Sequence, residues 1–203
     1  MTLEQSGKVL ATILLAALLV ASCGCAGKAP LTKISGPVAE HRPLCRVALF
    51  PFIDDQQDTE RALLAYRIFH HELVRAELFE VETEGDVRTF FMRNRMIPGA
   101  ILDSLIYEKC ANQLGVDAII VGRITDAGMD GNASKGRNPY LNLHVEIIDV
   151  KAKQPLVASF LRREGSDYRK ALHFGIVDTM TGLLSRLSRE IIADWQHKGV
   201  PGC

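Results

Sequence analysis

Residues Val9–Ala21 (VLATILLAALLVA) carry no charge, no proline and no glycine, and the run stops just before two cysteines one residue apart, Cys23 and Cys25. At about 1.5 Å per residue, a helix of this length reaches roughly 20 Å, short of the ~30 Å hydrocarbon core of a bilayer. Its length is instead that of the apolar core of a secretory signal, about 7–15 residues. On this reading residues 1–22 are a signal peptide, and what remains is a chain of single-domain size. An uncleaved anchor, reached by extending the run to Gly27, and a plain secreted protein are the alternatives.

Val20-Ala21-Ser22-Cys23 resembles a bacterial lipobox: aliphatic, small, small, cysteine. The resemblance implies cleavage before Cys23, acylation of its thiol, and an N-terminus held in a membrane. One acyl chain contributes only about 0.8 kcal/mol per buried methylene, so stable anchoring takes more than one. Gly24 follows, where an aspartate would be the usual inner-membrane retention signal. The resemblance therefore implies the outer membrane, on its periplasmic face. Residues 23–44, polar and with prolines at 30, 37 and 43, read as a lipidated N-terminus and flexible tether. Residues 45–197 read as a globular domain and residues 198–203 as a disordered tail.

The chain holds 24 basic and 24 acidic side chains. Removing Glu4 and Lys8 with the signal leaves this balance intact. A neutral chain without a Lys/Arg cluster argues against nucleic-acid binding driven by phosphate charge. With Cys23 lipidated, Cys25, Cys45, Cys110 and Cys203 remain, too few for a disulfide scaffold but compatible with one bridge in an oxidising compartment. Cys45 precedes an expected strand and Cys110 lies on an expected helix. A Cys45–Cys110 bridge and two independent buried thiols both fit.

Hydrophobic periodicity predicts the order β-α-β-α-β-β-β-α. Arg46–Ile53 is nearly all apolar, as a strand covered on both faces requires, with Pro51 near its end. Glu60–Leu78 places Ala62, Ala65, Tyr66, Phe69, Leu73 and Ala76 on one helical stripe, with Thr59 as its cap. A short strand is expected at Phe79–Thr83 and a short helical piece at Val87–Arg95. A helix after Pro98 should stop at Gly115. Ala118–Ile124, Tyr140–Ile147 and Pro155–Leu161 read as strands, and Asp167–Trp195 as one long helix. The fold class is α/β (α+β): a single layered domain with a mixed sheet of about five strands and helices packed on it.

No residue pattern assembles catalytic chemistry. His70 and His71 are adjacent, so on a helix their rings diverge by roughly 100° and cannot share a metal. Glu72 beside them does not change that. Asp54, Asp55 and Asp58 lack the glycine and terminal glutamate of a calcium loop and read as a solvated turn. His144 stands alone on the polar face of its strand and reads as solvent-facing. The expectation is no catalytic residue, no metal site and no cofactor.

Three segments together resemble a group of bacterial envelope lipoproteins, the TolB N-terminal, CsgG and LpoB-like domains. "RVALFPFID" at 46–54 is similar to their opening strand, and "ANQLGVDAIIVGRITDAG" at 111–128 to their helix, Gly-x-Asp turn and strand. "LHVEIIDVKAKQPLVAS" at 143–159 is similar to their hairpin, although Lys151–Gln154 stands where the family usually has a Thr-Gly turn. The resemblance implies an anticodon-binding-like α/β domain that presents a surface to a protein partner, not an enzyme. It points to a protein-binding module in envelope assembly or secretion, with a homo-oligomer compatible. The alternatives are a CsgG-like pore subunit or an auxiliary lipoprotein of an envelope transport system. A pore would need two extra hairpins, each of more than about twenty residues, and the loops after Arg123 and Asp149 are too short and polar for that. The expected docking surface is the sheet edge around Tyr140 and Leu161 and the polar loop Asp130–Asn138.

Overall fold

A computed structural model describes residues 31–34, 42–131, 138–169 and 175–203. The expected signal segment, Cys23, most of the expected tether and most of the loop after Asp130 lie outside the described residues. Within them, a seven-stranded mixed sheet carries four helices. In chain order the elements are β1 (Leu31–Ile34), β2 (Arg46–Leu49), β3 (Ile53–Asp54), α1 (Thr59–Arg75), β4 (Glu80–Val81), α2 (Glu84–Arg93) and α3 (Ser104–Lys109). A π turn at Cys110–Leu114 leads to β5 (Ala118–Asp130), β6 (Asn138–Asp149) and β7 (Gln154–Glu164). A 3₁₀ turn at Gly165–Tyr168 and α4 (Met180–His197) complete the chain.

The sheet order is β1-β7-β6-β5-β2-β4, with β3 continuing the line of β2 against β5. β2 pairs in parallel with both β4 and β5, and the helices between them supply the crossovers that parallel pairing requires. Strand alternation divides the side chains into two cores. Val47, Leu49, Ile120, Leu143, Val145 and Ile147 face α1 and α4, with Phe69 and Trp195 in T-shaped contact at 5.9 Å between those helices. Ala48, Phe50, Ile119 and Ile148 face the other way, under α2, α3 and the π turn. There Phe50 meets Phe91 edge-on at 4.8 Å.

Capping explains where the helices begin. Asp58 accepts the Arg61 amide at 2.9 Å, so the α1 cap falls one residue before the expected Thr59. Thr83, Asp103 and Thr179 cap α2, α3 and α4 in the same way. Gly115 ends the π turn in the left-handed region (φ 67°), at the expected stop. The expected single helix from Asp167 is not what forms. Glu164 and Asp167 make a capping box that closes only the 3₁₀ turn, and α4 starts at Met180.

Three further expectations are corrected. The tether reading included Leu31–Ile34, but these residues form β1, antiparallel to β7 with Leu31 opposite Phe160. Thr32 and Ser159 hydroxyls share a hydrogen bond at 2.7 Å, and Ser159 also accepts from the Trp195 indole at 2.7 Å, which ties β1 to the main core. Tyr140 and Leu161 therefore lie on interior strands, not at an edge. The tail 198–203 is held rather than disordered: Val200 is buried, and the Leu44 amide donates to the Pro201 carbonyl at 2.8 Å.

The start of β2 is pinned by one carboxylate. Asp117 accepts the backbone amides of Cys45 (3.0 Å) and Arg46 (3.1 Å) and pairs with the Arg42 guanidinium. Partial burial alone would raise the Asp117 pKa, but the amides of Arg46 and Cys45 and the charge of Arg42 outweigh it and hold it below the usual carboxylate value. Its stabilising contribution is present above the unfolded-state pKa near ~4 and is lost as pH falls through the lower folded value. Asp117→Asn should therefore cost about 1–2 kcal/mol at neutral pH, with the gap from wild type closing below pH ~4. Urea unfolding across that pH range checks this, and a gap independent of pH would contradict it.

Candidate functional site

The residues singled out in the sequence are mostly placed in structural roles. Cys23 lies outside the described residues. Cys45 is bridged to Cys203, with Cα atoms 4.9 Å apart, and not to Cys110. Cys110 is a free thiol enclosed in the core beneath α2, on the face of the sheet away from the bridge. Burial pushes its pKa up to about 12. His70 shares a hydrogen bond with the Glu82 carbonyl at 3.1 Å while His71 is exposed, so the two imidazoles occupy different surroundings. Glu72 is buried between α1 and α4, where it accepts from Ser185 at 2.5 Å.

The acidic turn is not merely solvated. The Asp54 side chain is 1% exposed and receives Arg61 Nε at 2.6 Å, while Asp58 takes the same guanidinium at 3.2 Å. Asp55 pairs with Arg123 at 2.7 Å. Two arginines, Arg61 on α1 and Arg123 on β5, thus pair with the three aspartates and hold the corner at β3.

Two surface features remain after these roles are assigned. The first is the half of the sheet that α2 and α3 do not reach. Cross-strand register lines up Leu31, Phe160, His144, Arg123 and Ile53 in one row across β1, β7, β6, β5 and β3. Leu31 is 74% and Phe160 40% exposed. β1 is the outer strand and leaves one side unpaired among the described residues. His144 is half-buried rather than free in solvent, 3.4 Å from Glu146.

The second feature flanks the β3 corner. A groove of about 700 Å³ runs between the first half of α1 and α2, with Phe52 and Ile53 at its base. Its walls are Leu63 and Tyr66 from α1 and Phe91 and Met92 from α2. Burial, and then the charge of Glu84, push the Tyr66 phenol up to about 12, so it stays a neutral hydroxyl at physiological pH. A smaller cavity of about 280 Å³ lies beyond Ile53 and Met96, walled by Arg123, His144 and Glu146 on the sheet and by the loop through Gly99. Gly99 has φ +77°, and a side chain there would press on Ile53, so glycine lets this loop close over the sheet. The sequence carried a partial signal for the groove: Leu63 is apolar yet falls outside the buried stripe of α1.

Comparison with known proteins bears on the fold. No protein-family model matches the sequence, and no curated protein matches it. Among solved structures, a PelC dodecamer from Paraburkholderia phytofirmans is similar over 82% of this chain and 97% of its own, with 13% identity and a TM-score of 0.55. The lipoprotein GNA1162 from Neisseria meningitidis is similar over 75% of this chain and 99% of its own, with 15% identity and a TM-score of 0.50. The LpoB C-terminal domain from Salmonella enterica is a looser likeness, covering 61% and 85% of the two chains at 10% identity with a TM-score of 0.39, and supports no argument by itself. At these identities the likenesses show a shared fold, one that a bacterial lipoprotein uses. They do not carry the TolB or CsgG part of the sequence resemblance.

The buried Cys110 thiol gives a direct check on this placement. Iodoacetamide at pH 8 should leave it unmodified in the folded protein, because the side chain is fully buried and burial also holds the thiol in its protonated, unreactive form. Peptide mapping after brief alkylation should find it labelled only once urea has unfolded the chain, and rapid labelling of the native protein would contradict its burial.

Proposed function

We propose that this chain is a lipid-anchored protein on the periplasmic face of the outer membrane, held there by acylated Cys23, and that it acts as a non-catalytic protein-binding module in envelope assembly or secretion. The observation that carries the reading is the half of the sheet left uncovered by the described residues, where the outer strand β1 has no partner among them on one side and Leu31 and Phe160 are exposed. An exposed edge with apolar side chains next to it is a template for strand addition or face-on packing by another chain. The site lies directly after the tether, which raises its effective concentration near membrane-attached partners without any new contact.

Two observations support the compartment and the mode of action. The Cys45–Cys203 bridge suits an oxidising space rather than a reducing cytosol. The fold is shared with a lipoprotein and with PelC, solved as a dodecamer, which favours a chain that works in contact with other proteins, its own copies included. The reading assigns no cofactor and no catalytic residue.

A photo-crosslinking amino acid placed at Leu31 or at Phe160 in the full chain, irradiated in intact cells, tests this. The expected result is a reproducible adduct with a defined envelope protein or with a second copy of this chain. Leu31→Lys combined with Phe160→Lys should reduce that adduct about tenfold when read from a crosslinker at a third position such as Lys33. Absence of any discrete adduct from both positions would sink the proposal.

A further inference from the structure

The groove between α1 and α2 is separate from the sheet surface invoked above and has a charge pattern of its own. Its acidic neighbours are paired, Asp54 and Asp58 sharing Arg61 and Glu84 held by Arg67 at 3.1 Å, which leaves one carboxylate charge of the Asp54 and Asp58 pair unbalanced at the β3 corner. Arg88 and Arg95 line the same groove, are exposed, and have no ion-pair partner among the described residues. The groove therefore combines apolar walls with two arginines on its α2 side that outnumber the one unbalanced carboxylate charge at the β3 corner. Its volume falls within the range of about 300–1,000 Å³ typical of small-molecule sites, which are mainly apolar with a few polar groups that orient the ligand.

We propose that this groove binds a single-chain fatty acid, with its hydrocarbon against Leu63, Tyr66, Phe91 and Met92 and its carboxylate at Arg88 and Arg95. The apolar walls select a hydrocarbon body, since Leu63 at 46% and Met92 at 64% exposure otherwise leave their surface in water. The unpaired guanidiniums select an anionic end, and a carboxylate suits their planar donor fork. Methionine at the wall adapts to chains of different length, because its unbranched side chain repacks at little cost. A cationic amphiphile of the same length meets the same walls but the wrong charge.

Membranes carrying the full chain are irradiated with palmitic acid bearing a diazirine in its chain, and the labelled peptides are mapped by mass spectrometry. Label is expected on the segments containing Leu63 and Met92. Arg88→Glu with Arg95→Glu, both exposed positions, should reduce it about tenfold. Leu63→Trp, which fills the groove, should reduce it by a similar factor. A diazirine alkylammonium of equal length should label the wild type about tenfold less and the double glutamate variant more. Retention of the Cys45–Cys203 bridge and of the wild-type melting temperature shows that each variant is folded. Label scattered outside the groove, equal labelling by acid and ammonium, or labelling unchanged in the double glutamate variant would each overturn the proposal.

Discussion

One carboxylate organises the end of the sheet from which the rest of the fold is built. Asp117 sits where β5 begins, yet its acceptors are filled by amides at the start of β2, some seventy residues earlier in the chain. Parallel neighbours have no hairpin to set their register, so a long-range pin has more to do here than in the β5-β6-β7 meander. The Asp117 backbone continues the knot: its amide donates to Arg46 at 2.7 Å and its carbonyl accepts from Val150 at 3.0 Å. Arg42 reaches both Asp117 and Asp149 (3.5 Å to the latter), so the turn after β6 joins the same cluster. The Cys45–Cys203 bridge and the Leu44–Pro201 hydrogen bond add the C-terminus.

With that end closed, the two faces of the sheet have different fates. One is covered along its length by α1 and α4, and its centre holds Trp195 with its indole satisfied by Ser159. Among the described residues, the other is covered only over β2, β5 and the end of β6. The helices that cover it are short, and the chain between them passes over Val121 and Gly122 as a loop, not as a third layer. The uncovered sheet and the α1–α2 groove are both consequences of this partial layer.

The features legible in the sequence were those written as local periodicity. The apolar runs of β2 and β5, the alternation of β6 and the stripe of α1 each place the correct residues inside, and Gly115 stops its helix as its conformational freedom allows. What was not legible depended on distant partners. No spacing rule reveals that Cys45 meets Cys203, because the approach is created by the Asp117 pin and by the packing of Val200. β1 is hidden because four residues between prolines have no periodicity, and only their fit to β7 makes them a strand. The start of α4 was misread because apolar periodicity was extended back to Asp167, where the Glu164–Asp167 capping box closes only one 3₁₀ turn. At the candidate site, the acidic turn near Asp54 looked solvated because periodicity does not show that Arg61 on α1 folds back onto Asp54 and Asp58, or that Arg123 reaches Asp55 from another strand.

On the proposed reading, a domain closed by a disulfide is tied by its N-terminus to a membrane and keeps open surface for others to meet. The most direct test of that reading is the covalent state of the mature chain, isolated from cell membranes without reduction and mapped by mass spectrometry. The account predicts an N-terminal peptide that begins at Cys23 and carries acyl chains, together with a linked pair of peptides containing Cys45 and Cys203. A cytosolic chain that retains residues 1–22, with Cys23 unacylated and Cys45 and Cys203 reduced, would contradict it.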